Sequence, residues 1–394
     1  MFRNAAATSV LDPHTGAVPT RIAEWARQHV KSTLSGSGIQ LDGAEPWDPQ
    51  ILEPKALVRV LVRGTLGGGE AYADGEWECD ALDELAFRLL KSDIDENWDT
   101  RPGLSVHALL AKLLNRQARS LARQNVHAYY DVGNDLYEAM LGRSMAYSCG
   151  YWRSATTLDE AQDAKHDLIC RKLQLRPGIR ILDVGCGWGS FARFAAQHYG
   201  AIVTGVTLSA AQAEFALQFC AGLPVEIRRQ DYREVSGQYD RIVSVGMFEF
   251  VGPANYNTYF RCLRKALADD GLFLLQTIGG LQSASSMDRW IARSVFPNAV
   301  LPSASQIADA VEGVFVAEDW HNLGPHYDKT LMAWHANFEA AWPRFVDRYG
   351  QRFHRIWRYY LLSSAGSFRA RRNQLWQVVF SKRGASPDYQ RPLL

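Results

Sequence analysis

The sequence has no excess of charge of one sign and no long apolar run. Its 394 residues include 43 Lys and Arg against 42 Asp and Glu, a net charge of +1. Such a chain has no overall attraction to nucleic acid or to an anionic membrane, so any electrostatic preference must come from local patches. No stretch approaches the roughly 18 apolar residues of a membrane span. The first residues also lack the continuous apolar segment of a secretory signal, which predicts a cytoplasmic protein.

Cysteine is scarce and scattered along the chain. The six cysteines form no CxxC pair and no spacing typical of a zinc site. This pattern predicts free thiols in a reducing compartment and no bound metal. Hydrophobic residues make up 47% of the chain and charged residues 22%, which is the composition of a folded protein and argues against disorder.

The first 125 residues are predicted to form a small helical domain. Apolar side chains recur at helical spacing in Lys55–Arg63, in Leu82–Lys91 and from about residue 105 to residue 124. A glycine cluster (Gly64, Gly67, Gly68 and Gly69) is expected to end the first of these helices, because glycine is a poor helix former.

Basic side chains form two stripes on these predicted helices. The first stripe consists of Lys55, Arg59 and Arg63, and the second of Lys112, Arg116, Arg119 and Arg123. One interpretation is a surface for anionic phospholipid headgroups, which makes residues 1–125 a lipid or membrane contact. The alternative is a solvated helix face, the usual environment of such charges.

From residue 180 onwards, short apolar strands alternate with helices. This order predicts an α/β domain over residues 126–384, with a parallel sheet and helices on both faces, followed by a tail at 385–394. Two late strands are predicted near 314–320 and 375–381. Between them lies a long helical stretch rich in Trp, Tyr and Arg.

A glycine-rich turn follows the first strand of this domain. Gly185, Gly187 and Gly189 let the backbone turn tightly and approach a ligand closely. Asp183, just before them, can accept a hydrogen bond from an ammonium group or a water. The dinucleotide pattern GxGxxG is not met, which favours S-adenosylmethionine as the ligand. Another nucleotide and a purely structural turn are the alternatives.

The second strand of the domain lacks one feature of a dinucleotide-binding fold. Such folds usually end this strand with Asp or Glu, which binds the ribose hydroxyls. Here the strand runs into Val206, Thr207, Leu208 and Ser209. The sequence therefore predicts that Thr207, Ser209 or Gln212 makes these hydrogen bonds.

Further motifs occur in a fixed order along the chain. They are DGEWECD (74–80), YDVGNDLYEAML (130–141), YSCGYW (147–152), LDVGCGWG (182–189), GVTLS (205–209), QDYR (230–233), RIVSVGMFE (241–249), YDKTLMAW (327–334) and LWQVVFS (375–381). Together they resemble the cyclopropane-fatty-acyl-phospholipid synthase family, bacterial enzymes that methylenate lipid double bonds. The resemblance extends over nearly the whole chain. It implies a Rossmann-like, seven-stranded class I methyltransferase domain after a small, mainly helical N-terminal domain.

The resemblance implies S-adenosyl-L-methionine as the methyl donor. It assigns the following residues to this cofactor: Tyr147, Ser148, Asp183, Gly185, Cys186, Gly187, Trp188, Gly189, Thr207, Leu208, Ser209, Gln212, Asp231 and Tyr232. It also implies a phospholipid with an unsaturated acyl chain as substrate and a cytoplasmic enzyme peripherally associated with the membrane. A homodimer is among the expected assemblies.

The family's chemistry accounts for the residue types at the reacting centre. Methyl addition to a double bond leaves a carbocation, which aromatic faces can stabilise until a proton is lost. The aromatic candidates are Tyr147, Tyr151, Trp152, Phe248, Phe250 and Tyr327. In the family a bound bicarbonate takes the proton, and its pocket corresponds here to Cys149, Glu249 and Tyr327. Taken singly, these three could instead be a small buried hydrophobe, a helix cap and a packing aromatic.

Three positions differ from the family pattern. Phe250 and Gln276 stand where His is usual, and Ser364 stands where Cys is usual. Gln276 can donate an N–H to bicarbonate but cannot carry positive charge, so we expect a catalytic pocket of retained shape and weaker electrostatics. The leading hypothesis is a cyclopropane-forming methyltransferase. The alternatives are a methyl-branch product, C- or N-methylation of a small molecule, and a non-catalytic lipid-binding protein.

Overall fold

The computed structural model describes residues 18–94, 133–383 and 389–392. The strands are β1 (Gln50–Ile51), β2 (Trp77–Glu78), β3 (Arg180–Val184), β4 (Ile202–Thr207), β5 (Val225–Arg229), β6 (Tyr239–Val245), β7 (Leu267–Gly280), β8 (Val316–Asn322) and β9 (Asn373–Ser381). The helices are α1 (Thr20–Thr33), α2 (Lys55–Arg63), α3 (Thr65–Ala73), α4 (Leu82–Lys91), α5 (Asn134–Leu141), α6 (Leu158–Lys172), α7 (Ser190–Tyr199), α8 (Ala210–Phe219), α9 (Tyr256–Ala266), α10 (Arg289–Ser294), α11 (Ala304–Val311), α12 (Gly324–Ala341) and α13 (Val346–Arg369). The helix predicted at 105–124, with the second basic stripe, lies outside the described residues.

The chain divides into two compact units, and the division is discontinuous in sequence. The first unit combines the described residues of Met1–His107 with Asp288–Val295 and Trp342–Ala370, and the remaining described residues form the second. This differs from the single boundary predicted at residue 125. The reason is that α13 packs on α3 and α4 and that α10 packs on α3, so two late segments join the N-terminal helices.

The glycine cluster of the first unit lies partly inside a helix, which corrects the prediction. Gly64 ends α2, but α3 begins at the next residue and contains the other three glycines. A Cβ atom at Gly67 would lie 2.0 Å from the backbone oxygen of Arg59, and one at Gly69 would lie 2.3 Å from the ring of Trp290. Close packing therefore requires glycine here and outweighs its poor helix propensity.

The first basic stripe is paired with acidic side chains of its own unit. The pairs are Lys55–Glu53 at 2.6 Å, Arg59–Glu70 at 3.2 Å, Arg59–Asp74 at 2.9 Å and Arg63–Glu70 at 2.5 Å. These contacts compensate the positive charge of the stripe. They favour the ion-paired, solvated helix face over a surface that attracts anionic headgroups.

The second unit is built on a seven-stranded sheet with strand order β5-β4-β3-β6-β7-β9-β8. Strands β3 to β7 pair in parallel, whereas β9 is antiparallel to both β7 and β8. The predicted α/β fold is confirmed. Because the strand order reverses at β3, the connections from β3 and β6 leave in opposite directions and open a crevice at their carboxyl ends, where such sheets bind ligands.

Helices cover both faces of this sheet because strand side chains alternate between them. On β7, Phe273 and Leu275 belong to the apolar cluster beneath α9 and α11, while Leu272 and Leu274 belong to the cluster beneath α6 and α7. The central strands are thus apolar on both faces, which explains their continuous apolar sequence. Within the described residues, no helix is long and apolar enough to span a membrane.

A buried ion pair joins α6 to β8. Lys172 Nζ lies 2.8 Å from Asp319 Oδ2, and the two side chains are 0% and 3% exposed. Burial lowers the pKa of Lys172 to about 8, although the hydrogen bond and charge of Asp319 oppose this shift. Removing one partner would leave the other buried without full compensation.

We expect Lys172→Met to lower the free energy of unfolding of the second unit by about 3–5 kcal/mol, because Asp319 loses its buried counter-charge. The double variant Lys172→Met/Asp319→Leu should regain most of that loss. Urea unfolding followed by tryptophan fluorescence measures both. As a control, Arg228→Met breaks the exposed Arg228–Glu226 pair and should change stability by at most about 1 kcal/mol. A single variant as stable as the unmodified protein would contradict this assignment.

Candidate active site

A cavity opens in the second unit at the carboxyl ends of β3, β4 and β6. The residues that line it directly after these strands and after β5 are Gly185, Cys186, Gly187, Trp188, Leu208, Gln230, Asp231, Tyr232, Arg233, Gly246 and Met247. Tyr147 and Ser148, from the segment between α5 and α6, lie on the same lining. The cavity therefore occupies the crevice that the strand order creates.

Two of the fourteen residues predicted for the cofactor are absent from this lining: Gly189 and Ser209. Both are helix N-caps, of α7 and α8 respectively. Ser209 Oγ accepts the backbone N–H of Gln212 at 3.2 Å, which explains its place at the start of α8. The structure therefore gives these two residues a role in the local backbone, and it favours Thr207 and Gln212 over Ser209 for the ribose.

The side chains of Thr207 and Gln212 are joined by a hydrogen bond. Thr207 Oγ1 donates to Gln212 Oε1 at 2.9 Å, and both residues are buried and line the cavity. Because the Gln212 carbonyl oxygen is occupied, its Nε2 group is the part of the amide that can donate to a ligand hydroxyl. This pair lies where dinucleotide-binding folds place an acidic residue.

Glycine suits positions 185 and 187 of the turn for different structural reasons. Gly185 has φ 80°, and a Cβ atom there would lie 2.6 Å from Cγ of Met247. Gly187 has φ 55°, and a Cβ atom there would meet nothing within 4 Å. Gly185 thus permits close packing under the turn, whereas Gly187 keeps space open beside the cavity that it lines.

Asp183 is the acidic residue beneath the turn. It is 2% exposed, and its Oδ2 atom has no hydrogen-bond partner among the described residues. Burial raises its pKa to about 7, although the nearby charge of Lys165 opposes this shift. The cavity thus offers an acid for an ammonium group, an amide for a ribose and apolar side chains such as Met247 and Val251 for a ring. These residues fit S-adenosylmethionine.

The four residues predicted to be catalytic do not line this cavity. Cys149 Sγ lies 3.9 Å from Oγ1 of Thr330, which is three residues after Tyr327 on α12. Cys149 is 1% exposed, and burial raises the pKa of its thiol well above the ordinary value. At neutral pH it is therefore a neutral thiol and not an activated nucleophile.

Glu249 contacts the strand that carries Gln276. Its Oε1 atom accepts the backbone N–H of Ile278 on β7 at 2.6 Å, so Glu249 does not act as a helix cap. Burial raises the pKa of Glu249 to about 7. Gln276 Oε1 accepts a hydrogen bond from Gln377 Nε2 at 2.9 Å. Glu249 Oε2 and Gln276 Nε2 are both buried without a hydrogen-bond partner among the described residues.

The aromatic candidates do not all lie at the cavity. Tyr147 and Phe250 line the cavity. Phe248 is 0% exposed and stacks on Tyr256 within the apolar core, with ring centroids 4.3 Å apart. The expectation that Phe248 could face a substrate is therefore wrong, because its ring fills the core beneath the sheet.

Lys165 and His166 are not predicted from the sequence, but both are buried on α6 and line the cavity. One signal could have identified Lys165. It follows Ala161 by four residues and precedes Leu168 by three, and both of these belong to the buried face of α6. An ionisable residue at an apolar position of a helix indicates a site more often than it indicates a surface.

A sheet of this strand order, with a ligand cavity at a glycine turn after its first strand, defines a class I S-adenosylmethionine-dependent methyltransferase. Residues 117–378 match the sequence model of the family described as Mycolic acid cyclopropane synthetase. The chain belongs to this family, which confirms the resemblance inferred from the motifs.

Relatives and solved structures agree with this family. The chain is 48% identical over 349 residues to the Cyclopropane-fatty-acyl-phospholipid synthase of Escherichia coli (strain K12), covering 89% of this chain and 91% of that protein. It is 38% identical over 381 residues to a Probable fatty acid methyltransferase of Pseudomonas putida, covering 90% and 92%. The crystal structure of mycolic acid cyclopropane synthase CmaA1 complexed with SAH and CTAB matches with a TM-score of 0.63 and 32% identity, covering 66% of this chain and 98% of that one.

We expect Gly187→Val to abolish S-adenosylmethionine binding, because the branched side chain would project into space that the ligand needs. Isothermal titration calorimetry measures the affinity, and circular dichroism checks the fold. Gly222→Val is the matched control, since Gly222 also has a positive φ (79°) and nothing within 4 Å of a Cβ atom but does not line the cavity. Both variants should share the backbone strain, and only Gly187→Val should lose the ligand. Equal affinity in the two variants would place the cofactor elsewhere.

Proposed function

We propose that the protein transfers a methyl group from S-adenosylmethionine to a cis double bond of an unsaturated phospholipid acyl chain. Loss of a proton from the new methyl group then closes a cyclopropane ring. The main support is the cavity at the glycine turn, in a chain 48% identical to a protein named Cyclopropane-fatty-acyl-phospholipid synthase over 89% of its length.

Some cavity residues would hold the cofactor, and others would shield the reacting acyl chain from water. Asp183 and Gln212 would hold S-adenosylmethionine, which when bound supplies the methyl group as part of a positively charged sulfonium. Tyr147 and Phe250 contribute aromatic faces to the same lining. Such faces stabilise a developing positive charge on the acyl chain and exclude water from it.

The proton-accepting group in this proposal is bicarbonate, held by Cys149, Glu249, Gln276 and Tyr327. The support is the pair of unpartnered buried atoms, Glu249 Oε2 and Gln276 Nε2, which a small polar guest would satisfy. A neutral Glu249 can donate a hydrogen bond to an anion, whereas an ionised one repels it. Because the pKa of Glu249 is about 7, retention of the anion should weaken as the pH rises through that value.

The substitutions at positions 250 and 276 bear on the strength of this anion site. Gln276 offers a neutral N–H where the family usually has a histidine that can be cationic. Hydrogen bonds from a charged donor are roughly twice as strong as neutral ones, so we infer a lower affinity for bicarbonate here. This weakness also motivates the second candidate function, a transfer that ends in a methyl branch or in a methylated small molecule.

Contact with a lipid surface is proposed for the first unit. Trp25, Leu52 and Val62 belong to it and are 51%, 59% and 58% exposed. Exposed apolar side chains of this size can enter the interfacial region of a bilayer. This proposal depends on apolar insertion more than on charge, since the first basic stripe is ion-paired. A homodimer stays a prediction.

We expect phospholipids from a heterologous host that expresses the protein to gain one CH2 group per modified unsaturated acyl chain. Mass spectrometry measures the gain, and proton NMR distinguishes ring protons from a methyl or methylene branch. The Gly187→Val variant serves as the control and should leave the lipids unchanged. A branch signal would favour the second candidate function, and unmodified lipids with the active protein present would contradict a lipid substrate.

We expect Glu249→Gln to lower turnover by about 10²- to 10³-fold while S-adenosylmethionine affinity stays within about threefold of the unmodified protein. The amide can donate a hydrogen bond to an anion but cannot exchange a proton with it. Steady-state kinetics at several bicarbonate concentrations, with calorimetry for the cofactor, separates the two effects. Tyr327→Phe should behave in the same way. Unchanged turnover in either variant would remove that residue from the reacting centre.

A further inference from the structure

Lys165 is a buried cation of the cofactor cavity that the proposed reaction does not use. It lies in the middle of α6, is 1% exposed and lines the cavity. Its Nζ atom is 2.9 Å from Oγ of Ser148 and 3.0 Å from Nε2 of His166. Burial lowers the pKa of His166 well below its usual value, so this imidazole is neutral and accepts from the lysine. Both close partners of Lys165 are therefore uncharged.

The structure offers a direct comparison on the same helix. Lys172, two turns further along α6, is equally buried but has a carboxylate oxygen of Asp319 at 2.8 Å. No carboxylate of the described residues lies within 4 Å of Lys165 Nζ. Burial lowers the pKa of Lys165 to about 7, although electrostatic interactions with Cys149, Asp183 and Asp163 oppose this shift. A buried ammonium group without an anion is costly unless a ligand supplies one.

The lining holds a second buried charge of opposite sign. Asp183 is 2% exposed, and its Oδ2 atom has no hydrogen-bond partner among the described residues. Asp183 and Lys165 interact electrostatically but are not within 4 Å of each other as an ion pair. One cavity thus presents a cation and an anion that are both incompletely paired. The chemical group that satisfies both at once is a zwitterion.

We propose that Lys165, with the Ser148 hydroxyl, binds the α-carboxylate of the methionine part of S-adenosylmethionine, while Asp183 binds its amino group. The carboxylate is the anionic group of this molecule, and the buried ammonium of Lys165 is the matching charge in the cavity. Lys165 therefore selects ligands that carry the complete amino-acid end. This inference depends on the cofactor site and not on the lipid substrate, so a failed lipid assay leaves it unaffected.

The test compares two ligands that differ in one group. S-adenosylhomocysteine has the complete amino-acid end, and its decarboxylated analogue lacks the carboxylate. We expect the unmodified protein to bind S-adenosylhomocysteine at least about 30-fold more tightly, because one partner of a buried charge pair is lost in the analogue. In Lys165→Met the two affinities, measured by calorimetry, should agree within about threefold. Lys165→Gln provides a second variant if the first does not fold.

A matched control uses the other buried lysine of α6. The double variant Lys172→Met/Asp319→Leu removes a buried lysine outside the cavity together with its partner, and it should keep the full ligand discrimination. Equal binding of the two ligands by the unmodified protein would overturn the proposal. It would also be overturned if Lys165→Met weakens both ligands by the same factor, because the lysine would then only shape the cavity. Failure of the unmodified protein to bind S-adenosylhomocysteine would overturn the cofactor site as well.

Discussion

The site depends on the reversal of strand order at β3. Because the connections from β3 and β6 leave in opposite directions, they leave the carboxyl end of β3 uncovered. The glycine turn lies at that point, and Gly187 keeps space open where any side chain would project. The cavity is thus a consequence of topology, and the residues that follow the strands determine what can bind in it.

A second feature of the site is the burial of ionisable groups near this crevice. Asp183, Lys165 and Glu249 are all less than 5% exposed, and burial moves the pKa of each to about 7. Lys172 is also buried, but it is held by Asp319 and supports the fold. The difference between these lysines shows how one helix contributes both a structural ion pair and a charge that a ligand can use.

The two units differ in how they use charge. In the first unit, basic side chains of α2 form ion pairs with acidic residues of the same unit, and the late helix α13 contributes Arg352, which lies 2.9 Å from Asp74. In the second unit, the charges at the crevice are incompletely paired within the described residues. Charges of the first unit therefore serve its own packing, whereas those of the cavity are available to a ligand.

Local periodicity determined much of what could be predicted from the sequence. The helices Lys55–Arg63 and Leu82–Lys91 have the predicted bounds, and the glycine turn and the α/β order follow from spacing between neighbours in the chain. Tertiary structure alone decided that two late segments join the first unit and that three glycines lie within α3. It also decided that Lys165 has no carboxylate partner while Lys172 has one. Most of these outcomes depend on contacts between residues far apart in sequence, such as Gly69 with Trp290 and Lys172 with Asp319, which no local pattern encodes.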